Sequence, residues 1–147
     1  MSIKGFSIIS SLADFSDIAI KASDITNLFV WTTGAAIDTN KGETYSTNLF
    51  KYSDYVDISE IPKFEMSFVK WRSAAGQQPT LGYALYDANK NFVSSVRYEL
   101  ADASVGNSAG TPCTVVVDIT NPSVKYIRTG YPVDEAKYGV FKATILD

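Results

Sequence analysis

From about Phe29 onward, apolar residues come in short runs or at alternate positions, separated by turn formers. That pattern predicts an all-β fold of two facing antiparallel sheets. Tyr52 to Ile58 alternates aromatic or aliphatic with polar residues and reads as a strand. Lys63 to Trp71 follows, with Phe64, Met66 and Phe68 on one face at period two. Leu81–Tyr86 and Phe92–Tyr98 flank DANKN, a hairpin turn whose Asp and Asn residues tolerate a tight backbone. Leu100 to Pro112 is rich in Gly, Ser and Ala and reads as a long loop. Val115–Ile119, apolar apart from Asp118, reads as a strand buried on both faces, and Asn121-Pro122 ends it. Val124–Thr129 and Tyr138–Leu146 complete about seven or eight strands, with no long helix among them.

The first 26 residues depart from this rhythm. Ile8, Leu12, Phe15, Ile18, Ala22, Ile25 and Phe29 recur at three- or four-residue steps, and Ser11 with Asp14 suits a helix start. Ile18 and Ile20 alternate as a strand would, and Ser, Asp and Thr are weak helix formers. The expectation is an N-terminal arm over residues 1–26, with a helical turn or an edge strand, ahead of a β-sandwich over 27–147.

Composition narrows the function. A chain of 147 residues, 46% hydrophobic, has enough material for one buried core. Its net charge of −3 argues against a basic face for nucleic acid. No run approaches the roughly 18 apolar residues of a membrane span, and the opening MSIKGFSIISSLADF makes a poor signal peptide. The single cysteine, Cys113, lies near a run of valines and reads as a small buried apolar residue. Together these suggest folding in a reducing cytoplasm.

Histidine is absent. Ser-His-Asp and Cys-His nucleophiles, HExxH zinc sites and histidine acid–base catalysis therefore go with it. There is no P-loop and no GxGxxG. Paired carboxylates remain, with Asp54 and Asp57, or Asp134 and Glu135, as the nominees; carboxylates at such strand edges and turns are far more often solvated, so no catalytic residue is expected. Two turns space oxygen ligands as calcium needs, Asp38 with Asn40 and Asp87 with Asn89. Each also carries a lysine, and ordinary turns explain both; a structural calcium is the only cofactor worth considering.

Aromatic residues make up 13% of the chain. Trp31, Trp71, Tyr98 and Tyr131 lie near turns with polar neighbours, including Arg72 beside Trp71 and Arg97 beside Tyr98. Such residues stack on sugar rings or anchor protein interfaces. The competing reading has Trp31 and Trp71 capping the two ends of the core.

The stretch Asn27–Ser59 combines an aromatic opening with a glycine (Asn27, Trp31, Gly34), a Gly-then-Ser stretch (Gly42, Ser46) and a strand S-x-Y-V-x-I (Ser53, Tyr55, Val56, Ile58). A Y-x-x-Y-D-x-N-x-x-F hairpin follows (Tyr83, Tyr86, Asp87, Asn89, Phe92), then a K-Y-I-R strand (Lys125, Tyr126, Ile127, Arg128). In this the chain resembles small jelly-roll, carbohydrate-binding-module-like domains of phage virions and bacterial surface proteins. The resemblance implies a β-sandwich that binds or scaffolds without chemistry. Its motifs are fold markers and transfer no binding residue. The usual glycan-binding members are modules of an enzyme or a longer fibre, whereas this chain reads as a stand-alone domain with an arm. That favours a virion structural protein, made in the host cytoplasm, which decorates a capsid or joins a head-fibre or tail assembly. Its expected partners are other virion proteins and copies of itself; the alternative is a glycan-binding module.

Overall fold

The computed structural model describes residues 23–72, 81–97 and 107–146. Among them nine strands form two antiparallel sheets, and the protein is an all-β sandwich. The strands are β1 (Trp31–Asp38), β2 (Glu43–Ser53), β3 (Val56–Asp57), β4 (Lys63–Arg72), β5 (Gly82–Tyr86), β6 (Phe92–Arg97), β7 (Asn107–Asp118), β8 (Tyr126–Pro132) and β9 (Ala143–Ile145). The larger sheet runs β1-β2-β8-β5-β6 with β3 also on β8, and the smaller runs β7-β4-β9. A one-turn helix α1 (Glu135–Tyr138) links β8 to β9.

Alternation builds the core. In β4, Phe64, Met66 and Phe68 are all 1% exposed or less. They face inward as their period-two spacing requires. Opposite them lie Tyr83, Ile127 and Tyr131 of the larger sheet, in the same hydrophobic cluster. Ser53, fully buried, accepts from the Thr129 backbone N–H at 3.0 Å, which satisfies a polar group within that core.

Several expected boundaries move. The strand expected over Tyr52–Ile58 breaks at Asp54–Tyr55, where the Asp54 carboxylate accepts from the Tyr55 N–H; β2 pairs with one end of β8 and β3 with the other. The stretch after Gly42 is not turn filler but the start of β2. It shows no alternation because Glu43 to Ser46 are all exposed. The expected loop ends early, since Asn107–Pro112 already pairs with β4; its beginning lies outside the described residues. Val115–Ile119 is covered on one face only, with Val115 and Val117 inward and Val116 48% exposed. The expected strand Val124–Thr129 shifts to Tyr126–Pro132. Tyr138 falls in α1, started by the Asp134 carboxylate accepting from Lys137 N–H at 3.1 Å, so only Ala143–Ile145 of the last segment is strand. Of the expected arm, residues 1–22 lie outside the described residues. Asp24 bridges to Thr144, and Ile25 is 6% exposed within the core.

The β1–β2 hairpin reaches back over β5 and β6. Ser95 donates to the Thr39 carbonyl at 2.5 Å, Tyr86 to the Gly42 carbonyl at 2.6 Å, and Arg97 to Asn40 Oδ1 at 2.9 Å. Gly82 has no room for a β-carbon, because the Val96 carbonyl and the Thr39 methyl already fill that space. Every residue of β5 is consequently buried.

Candidate functional site

The three described aromatic residues nominated from the sequence, Trp31, Trp71 and Tyr131, belong to or pack against one hydrophobic cluster. Trp31, at the start of β1, meets the Phe141 ring edge-on at 4.9 Å and lies 6.3 Å from Tyr131. Lys51 places its ammonium 5.0 Å from the Trp31 ring centre and pairs with Glu135 of α1 at 3.3 Å. Trp71, at the end of β4, meets Phe50 edge-on at 5.0 Å and Tyr138 at 5.7 Å. Tyr131 joins these groups by donating to the Tyr138 and Gly139 carbonyls at 3.0 and 3.3 Å. Both tryptophans thus pack against the same hydrophobic cluster, their ring groups linked through the Tyr131 hydroxyl.

Exposure sorts the nominees. Trp31 and Trp71 are half-buried. Tyr131 is 1% exposed, and burial pushes its phenol above the usual range. Arg72 is 3% exposed. Tyr98 lies outside the described residues. Leu28, Val30, Leu49 and Val140 are between 46% and 62% exposed. Leu49 and Val133 adjoin through a backbone hydrogen bond at 3.1 Å.

The candidate carboxylates are engaged locally. Asp57 accepts from both the hydroxyl and the N–H of Ser59, the hydroxyl being the main reason its pKa is lowered. Asp134 caps α1 and Glu135 pairs with Lys51. In the two turns weighed for calcium, Asp38 accepts from Asn40 N–H at 2.8 Å, while the Asn40 carbonyl faces the Arg97 guanidinium. Asp87 accepts from the N–H groups of Asn89 and Asn91, both at 2.9 Å. The Asp38 and Asp87 carboxylates are oriented toward donors within their own turns, and the Asn40 side-chain oxygen toward Arg97 of β6. Among the described residues, no three metal-ligating side chains converge.

A second cluster, not nominated from the sequence, lies where β2, β3, β5 and β8 meet. Arg128 of β8 is 9% exposed and sits over three rings, 4.4 Å from Tyr55, 5.2 Å from Tyr52 and 5.9 Å from Tyr86. Its guanidinium donates to Tyr55 Oη at 3.1 Å and, at a long 3.4 Å, to the Ser53 carbonyl. Lys90, in the β5–β6 turn, brings a second cation 5.1 Å from the Tyr55 ring and 5.4 Å from Tyr126. Burial raises the Tyr86 pKa to about 12, partly opposed by the adjacent Arg128 charge. The sequence signal was present: Tyr86, Tyr126 and Arg128 belong to the hairpin and K-Y-I-R motifs read as packing markers.

A groove of about 350 Å³ lies between the turns around Ser59 and Asn121. No titratable pair is aimed into it. No family model matches the chain, and neither does any curated protein or solved structure.

Proposed function

We propose that this chain is a non-enzymatic binding domain that acts through protein–protein contacts. On the motif resemblance, we place it as a virion structural protein: a capsid decoration or a head-fibre or tail component, made in the host cytoplasm. One observation carries the protein-contact reading. Exposed apolar side chains flank the rings of the aromatic cluster along the chain, Leu28 and Val30 on either side of Phe29, Leu49 before Phe50 and Val140 before Phe141, and Phe29 and Phe141 both meet the Trp31 ring. Apolar patches bordered by aromatic anchors are where stable interfaces concentrate their energy. The carbohydrate reading has less support, because Lys51 and neighbouring rings already crowd Trp31 and Tyr131.

The test is assembly. Purified protein should self-associate or rebind particles stripped of it. The triple variant Val30→Ser, Leu49→Ser, Val140→Ser should weaken that binding at least tenfold with an unchanged circular dichroism spectrum. A strictly monomeric protein that ignores particles, combined with glycan-array hits abolished by Trp31→Ala, would replace this reading with the carbohydrate one.

A further inference from the structure

The tyrosine cluster holds two cations and no acid. Arg128 and Lys90 have no carboxylate of the described residues within 4 Å. A guanidinium offers five N–H donors, and Arg128 uses two of them, one on a long bond. Tyr86 adds a further side-chain hydrogen-bonding interaction with Arg128. Arg128 is thus a charge more than nine-tenths buried, held in place by rings and without a carboxylate partner among the described residues. Asp54, Asp57 and Asp87 stand nearby in the chain, but their carboxylates accept from N–H or hydroxyl groups of their own turns, and neither cation pairs with one.

We infer that this cup receives a carboxylate from a partner protein, an Asp or Glu side chain that docks on Arg128 with Lys90 beside it. The inference rests on the protein-binding reading above and names the chemistry of one contact. Geometry selects the source. Tyr55 meets Tyr86 and Tyr126 edge-to-face, at interplanar angles of 74° and 81°, and Arg128 and Lys90 lie over its ring. No open, flat ring face is offered to a sugar. A planar guanidinium matches a planar carboxylate through two parallel hydrogen bonds. Tyr and Arg are also the residues that most often dominate binding energy at protein interfaces.

The probe is sodium acetate, added to the full chain while the Arg128 Nε–H resonance is followed by NMR. Sodium chloride, inorganic phosphate and sodium glucuronate at matched ionic strength are the controls. Acetate should shift the resonance saturably, chloride should not, and Lys90→Gly should weaken acetate binding about threefold or more. Because Arg128→Gln removes a buried group and can unfold the protein, the exposed Lys90 variant is the decisive one. Equal drift in acetate and chloride, or an unchanged affinity in Lys90→Gly, overturns the site. Tighter binding of phosphate or glucuronate overturns the choice of a protein carboxylate. Acetate binding can fail while particle binding persists, and that outcome removes this site alone; the reverse outcome removes the assembly reading.

Discussion

Lys90 holds a backbone φ of 64°, in the left-handed region that costs a residue with a β-carbon about 1 kcal/mol. The turn enforces it: Lys90 N–H donates to the Asp87 carbonyl at 2.9 Å, and the Asp87 carboxylate accepts from the residues on either side of Lys90. Against that cost the ammonium gains two ring contacts, each about 0.5–1 kcal/mol at an exposed site. Lys90→Ala keeps the strain and loses the contacts, so it should destabilise the protein by about 1 kcal/mol. Lys90→Gly loses both and should be more stable than the alanine variant by about 1 kcal/mol. Urea midpoints measure the difference, and equal midpoints would refute backbone strain at this residue. Tyr86 carries a pH dependence. Its folded pKa, about 12, lies above the unfolded value near 10. The stability it contributes is therefore complete below about pH 10 and is lost as pH rises toward 12. Tyr45 and Tyr131 shift in the same direction through burial. Urea unfolding across that window should show falling stability, with a shallower slope in Tyr86→Phe; an unchanged slope would assign the loss to other groups.

At the level of elements, the three consecutive valines of β7 test the one-sided burial. Val117 is fully buried and Val116 is half-exposed on the outer face. Val117→Ala removes two methyl groups and leaves a cavity, which should cost about 2 kcal/mol. Val116→Ala should stay within about 0.5 kcal/mol of wild type by chemical denaturation. Similar costs at the two positions would mean that both faces are covered. The valine run by itself did not separate one covered face from two, since all three side chains are equally apolar. β4 was legible because Phe64, Met66 and Phe68 alternate with Glu65 and Ser67. β2 was hidden because its first residues are polar and exposed on both faces, so no period appears. The first turn of β7 was hidden by small residues, although Gly110 fits there with Val69, Trp71 and Tyr138 closing over it. α1 is four residues long, too short to show helical periodicity.

Across the whole molecule, the larger sheet uses both of its faces. The smaller sheet covers one, while the β1–β2 hairpin and the tyrosine cup occupy the other. Only part of the candidate surface could be read from the sequence. Trp31, Trp71 and Tyr131 are conspicuous aromatic residues near turns, and the fold does bring them into one cluster. The cup needs Tyr55 and Arg128, 73 positions apart, and no local pattern links such distant residues. Pairing of β3 and β5 with β8 brings them together. Asp24 bridges Thr144, and Ile25 N–H donates to the Ala143 carbonyl at 3.0 Å, so the first and last described segments lie side by side and antiparallel. Tension applied through those two segments would load their few hydrogen bonds one after another, like a zipper pulled from its open end, rather than all at once in shear. A load borne through neighbouring surfaces would leave that weak seam unstressed.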